Sequence, residues 1–149
     1  MGVVINQPID IRLTEILEEM NIAYGDNVQE GAILAGGPVQ TERGFILHRR
    51  DEREWQNSLN ISPTVAMTTS PDVLEAFGEG TMPEGSFVTL GYAGWGEGQL
   101  EAEILQNSWL TLPATDEILF DTPYEKRVQA ALDLLGIRKE QLTTFSGHA

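Results

Sequence analysis

The chain has 149 residues, with nine Lys and Arg against 23 Asp and Glu, and a formal net charge of −14. That balance opposes nucleic acid and anionic membrane surfaces, both of which are bound largely through Lys and Arg. No Cys is present, which excludes disulfides, thiolate metal sites and a cysteine nucleophile. No apolar run approaches the ~18 residues that suggest a bilayer span. The N-terminus, MGVVINQPID, lacks the basic region of a secretory signal, so the expected compartment is the cytoplasm.

The elements follow from apolar periodicity and punctuation. Gly2-Val3-Val4-Ile5-Asn6, closed by Pro8, reads as a buried strand. Such a strand at residue 1 needs a neighbour, which leads to the expectation that relatives of this chain start further upstream. Leu13, Ile16, Leu17 and Met20 fall on one face of a helix. Ala32–Ala35 and Gly44–His48 read as strands joined by a turn at Gly36-Gly37-Pro38. The following run, His48-Arg49-Arg50-Asp51-Glu52-Arg53, mixes both signs and reads as a solvated loop with local ion pairs. A loop carrying Trp55 then leads to a strand near Val65–Thr68.

Ser70-Pro71-Asp72 supplies an N-cap, a proline at the first helical position and an acid in the first turn, with Gly78 as the stop. Ser86–Leu90 is a strand that feeds LGYAGWGEGQLEAEI, residues 90–104. A helix over 99–107 follows, then a short strand at Trp109–Leu112 stopped by Pro113. Thr122-Pro123-Tyr124-Glu125 has the form of a capping box and starts a helix that reaches Leu135 and closes on Gly136. Strands interleaved with helices, without linker or repeat, give a single α+β domain.

Several of these motifs together resemble the AlgH/YqgE family of small bacterial proteins. They are Gly2–Pro8, Gly36-Gly37-Pro38-Val39 with Gly44–His48, Leu90–Gly96 running into Gly98–Glu101, Asn107–Leu110, Phe120–Pro123 and Gly147-His148-Ala149. The resemblance covers the whole chain as one domain, 1–149, and implies an α+β fold with a mixed, bifurcated sheet curled toward a pseudo-barrel and flanked by helices. Members of the family carry a few dozen further N-terminal residues. One branch is linked to regulation of alginate synthesis. No catalytic residues are established for the family, so none carries over.

The glycines around Trp95 run G-x-G-x-G, which is neither a dinucleotide fingerprint nor a P-loop. Glu97 at the start of the following helix disfavours an anion there. Glu101 and Glu103, two apart on a helix, point about 200° away from each other and do not form an acid–base pair. His48 is the best single candidate for proton transfer, but no nucleophile can be assigned to it. His48 and His148 do not form a metal site. No catalytic residue, metal or cofactor is therefore expected. The candidate ligand-binding set is Gly36, Gly37, Pro38, His48, Tyr92, Trp95, Gln99 and Glu101, on the expectation that the Gly36-Gly37-Pro38 turn, His48 and the Trp95 loop converge on one pocket. Two functions follow. One is a non-catalytic regulator acting through an unidentified protein partner, with no direct nucleic-acid or membrane binding; the other is a small-molecule binder or hydrolase-like enzyme using that pocket.

Overall fold

The computed structural model describes residues 1–138 and 140–142; the Gly147-His148-Ala149 motif lies outside the described residues. Six strands form one mixed sheet: β1 Pro8–Ile9, β2 Ile33–Ala35, β3 Val39–Arg49, β4 Ser58–Asn60, β5 Val65–Thr68 and β6 Phe87–Tyr92. Their spatial order is β1-β2-β6-β3-β5-β4. β2 runs parallel to β6, and the other neighbours are antiparallel. The α+β class, the mixed sheet and the flanking helices are as expected. The sheet stays open, with β1 and β4 as its two edges.

Pleating divides the apolar residues between two faces. On one face, Ile33, Ile46 and Val88 pack against Leu13 and Leu17 of α1 (Leu13–Glu19) and Val73, Leu74 and Phe77 of α2 (Pro71–Glu79). On the other, Leu34, Leu47, Val65 and Phe87 meet Leu119 and Phe120 from a π-type turn, Glu117–Asp121. Each fully buried Leu, Ile, Val or Phe stabilises by roughly 1.5–3 kcal/mol, so the two layers hold the sheet from both sides. α3 (Gln99–Leu105) buries no side chain. α4 spans Arg127–Leu135 and ends at Gly136 in the left-handed conformation.

Five local expectations are corrected. Residues 2–6 are not a buried strand: Gly2 bridges Ala93, Val4 donates a single bond to the Gly36 carbonyl, and regular pairing starts only at Pro8. Gly36-Gly37-Pro38 joins two strands as expected, but the second starts at Val39 rather than Gly44, and β6 lies between the two. α2 runs through Gly78, where a Cβ would stand 2.4 Å from the Ala23 carbonyl oxygen, and stops at Gly80. Trp109–Leu112 is irregular; a strand needs a neighbour, and this segment has none. The Thr122 hydroxyl donates back to the Glu117 carbonyl at 2.9 Å rather than capping, so a 3₁₀ turn (Tyr124–Lys126) precedes α4.

Candidate functional site

The sequence candidates fall at two ends of the β3/β6 ladder. Leu47 faces Phe87 at one end and Val39 faces Tyr92 at the other. The five steps between Phe87 and Tyr92 span about 17 Å. His48 lies beyond the first end and Trp95 beyond the second, so the expected shared pocket does not exist. The expectation failed because sequence order hides which end of an antiparallel ladder each residue occupies.

At the first end His48 is 1% exposed. Its Nδ1 donates to the Arg49 carbonyl at 2.9 Å, and Nε2 stands 2.7 Å from Thr68 Oγ1. Thr68 in turn hydrogen-bonds the Ser58 hydroxyl at 2.9 Å. This chain ties β3 to β5 and β5 to the edge strand β4, and it leaves neither ring nitrogen free for substrate. The aromatic partner of His48 is Trp55, edge to face at 5.8 Å, and not Trp95. A cleft of ≈ 400 Å³ lies beside them, lined by Arg50, Asp51, Arg53 and Asn60 among others.

The arginines of the mixed run are already engaged. Arg53 pairs with Asp51 at 2.6 Å and stacks over Trp55 at 4.9 Å. Arg50 donates to the carbonyls of Ser62 and Pro63, both at 3.2 Å. Arg49 grips both carboxylate oxygens of Asp121 at 2.9 and 2.8 Å. Desolvation pushes the Asp51 carboxyl up, but hydrogen bonds and charge from Arg53 outweigh it and hold the group below the usual carboxylate range. The local ion pairs anticipated for this run are therefore present at Asp51–Arg53, while Arg49 is part of β3 and reaches across to the π-type turn. Trp55 Nε1 is buried with no hydrogen-bond partner among the described residues.

At the second end the backbone is crowded. Gly36 donates to the Leu90 carbonyl at 2.7 Å and accepts from Val4 at 2.8 Å. A Cβ on Gly37 would stand 2.1 Å from the Tyr92 carbonyl carbon. Gly36-Gly37-Pro38 is thus a close backbone crossing against the Tyr92–Ala93 segment. Tyr92 itself packs edge to face on Phe45 at 5.7 Å.

Just beyond lies the most connected polar cluster of this end. Trp95 Nε1 and Trp109 Nε1 both donate to Glu103 Oε2, at 3.1 and 2.8 Å. Gln99 Nε2 donates to Glu103 Oε1 at 3.1 Å, while Gln99 Oε1 accepts from the Gly96 N–H at 3.0 Å. The two indoles meet edge to face at 5.9 Å. The Trp109 bond first, then those from Gln99 and Trp95, hold the Glu103 carboxyl below the usual range. Trp95 and Gln99 were candidates from sequence and are brought together here; Glu101 is exposed two residues from Glu103 on α3, about 200° around the helix. Glu103 and Trp109 were missed. The available signal was Gln99 and Glu103 at i and i+4 on one helix, with a tryptophan on either side.

The chain is thus a single open-sheet α+β domain with a polar cleft at one end of β3/β6 and an indole–carboxylate cluster at the other. It belongs to the AlgH-like family, whose sequence model matches residues 1–140. A UPF0301 protein of Stenotrophomonas maltophilia (strain K279a) is 48% identical over 149 residues, covering 99% of this chain and 79% of the relative. A UPF0301 protein of Dechloromonas aromatica (strain RCB) is 47% identical, covering 100% and 80%. Among solved structures, the AlgH protein from Pseudomonas aeruginosa superposes with a TM-score of 0.78 at 48% identity, over 96% of this chain and 76% of that one. Protein DIP2367 from Corynebacterium diphtheriae matches with a TM-score of 0.61 at 16% identity, over 87% and 69%; that likeness shows the fold alone. Among the described residues no helix is long and apolar enough to cross a membrane.

Proposed function

We propose that this protein is a non-catalytic, cytosolic bacterial regulator that acts by binding a protein partner. The observation that carries the reading is the acidic stretch that includes α3. Between Arg53 and Lys126 the sequence has twelve carboxylates and no Lys or Arg, and α3 in that stretch buries none of its side chains. A basic partner surface is complementary to such a region. The reading is also supported by His48, the best candidate for proton transfer, whose ring nitrogens are both spent on internal hydrogen bonds.

The test combines two measurements on the full chain. Affinity capture from a bacterial lysate is expected to retain a partner at low salt and lose it at high salt. A thermal-shift screen of metabolites is expected to show no saturable stabilisation. A metabolite that raises the melting temperature saturably, with no salt-sensitive partner, overturns the reading. It would favour the second one, a small-molecule binder, for which the ≈ 400 Å³ His48–Trp55 cleft is the specific support. In that case Arg53→Ala should abolish the stabilisation.

A further inference from the structure

We infer that the Trp95–Glu103–Trp109 cluster is a receptor for an arginine side chain carried on an amphipathic segment of a protein partner. The inference deepens the proposed function and rests on it. Glu103 is the starting point. Its three donors are neutral N–H groups from Trp95, Trp109 and Gln99. Among the described residues it enters no ion pair. Those hydrogen bonds stabilise the ionised form, and no cation contributes. A full negative charge therefore stands at a fixed place on the surface. A carboxylate offers about four lone-pair positions; two indoles occupy Oε2 and Gln99 takes one position on Oε1, which leaves one on Oε1.

The surroundings select a guanidinium. Two indoles meet edge to face at the carboxylate, and Trp109 is 47% exposed. An Arg guanidinium is attracted to an indole face and can at the same time donate one N–H to the position left on Oε1. A metal ion is a poor fit, since hard cations require several oxygen ligands and three N–H donors already point at this carboxylate. Ile104 and Leu110, the neighbours of Glu103 and Trp109 in sequence, are exposed. They supply apolar contact for the residues flanking the arginine. The acidic stretch from Glu54 to Glu125 has no cation of its own to compete, and its field steers a basic segment toward the cluster. A seven-residue helix with no buried side chain is marginal by itself. The indole bonds to Glu103 fix it in place and so hold the receptor in its binding geometry.

The test is an NMR titration of the ¹⁵N-labelled full chain, whose three tryptophans give three indole signals. Trp95→Phe and Trp109→Phe assign two of them and leave Trp55 as the internal control. The probe is a capped Leu-Arg-Leu peptide, with the neutral Leu-citrulline-Leu peptide as comparison. The arginine peptide is expected to move the Trp95 and Trp109 signals saturably and leave Trp55 unmoved. Glu103→Gln keeps an acceptor oxygen and removes the charge, and should weaken binding by on the order of tenfold. On the unaltered chain, 0.5 M salt should weaken binding several-fold. Absence of saturable shifts overturns the inference, as does equal binding of the citrulline peptide, of the Glu103→Gln variant, or at high salt. Partner capture by wild type and Glu103→Gln alike sinks this docking point while the wider regulatory reading stands. Peptide binding here with no salt-sensitive partner in the lysate supports the receptor and counts against the wider reading.

Discussion

Arg127 sits where four parts of the chain meet. Its guanidinium donates to the carbonyls of Ile5, Leu119 and Thr122 and lies over the Phe87 ring at 4.4 Å. Burial lowers its pKa, yet three carbonyls and a ring face compensate for the lost water. Arg127→Met keeps the stem and strands those carbonyls, so a loss of ~2–4 kcal/mol is expected in urea unfolding. Arg127→Lys should recover only part, because a point charge cannot serve a planar fork of acceptors; full recovery would show that the charge alone matters. Glu103 gives a pH prediction. Its folded pKa is depressed by Trp109, Gln99 and Trp95. The stabilisation is therefore complete above the ordinary glutamate value of ~4.3 and is lost as pH falls through the lower folded value. The melting-temperature gap between wild type and Glu103→Gln should stay constant from pH ~8 to ~5 and close below that. A gap that ignores pH removes ionisation from the account. Arg127 has no signal in the sequence, and Glu103 stands out there only as a partner for Glu101; it gains its role when the chain folds Trp109 back onto Trp95.

Elements were legible where a local pattern and tertiary packing agreed. β3, β5 and β6 carry β-branched and aromatic runs, α1 shows helical spacing, and α2 and α4 have a proline or glycine at a boundary. β4 was illegible because Ser58-Leu59-Asn60 is a short edge with Leu59 60% exposed; its pairing depends on β5 more than on its own pattern. The Gly36-Gly37 turn links two strands, as read, and has the further job of letting two backbones cross. Gly37→Ala tests that job. The added Cβ would lie 2.1 Å from a backbone carbon of Tyr92, which cannot move without disturbing the Val39–Tyr92 pairing. A loss of more than ~2 kcal/mol is expected in chemical unfolding, with amide exchange quickened in Gly91–Ala93. A loss below ~1 kcal/mol, the size of an ordinary Gly→Ala conformational effect, would show that the crossing yields easily.

At the scale of the molecule, the sheet order could not be read from the chain, since β6 pairs on both sides with strands that precede it by some 40 residues or more. Charge, by contrast, was legible at once and makes a prediction of its own. Salt has two opposing effects here. It weakens the three ion pairs found among the described residues, two of which have a partner around half exposed or more; such pairs contribute ~0–1 kcal/mol each. It also screens the mutual repulsion behind a net charge of −14, and this acts between every pair of carboxylates within a Debye length of ~10 Å at 0.1 M. With 23 acids against nine Lys and Arg, the second effect is larger. Raising NaCl from ~10 mM to ~0.3 M at pH 7.5 should therefore raise the melting temperature by several degrees, on the order of 1 kcal/mol. The gain should level off once the Debye length falls below the spacing between neighbouring acids. Calorimetry across the salt series checks this, and a falling melting temperature would mean that the few ion pairs outweigh the repulsion. The same screening weakens an arginine at Glu103, so one salt series should raise stability while it lowers affinity, and the opposite signs separate the global field from the local contact.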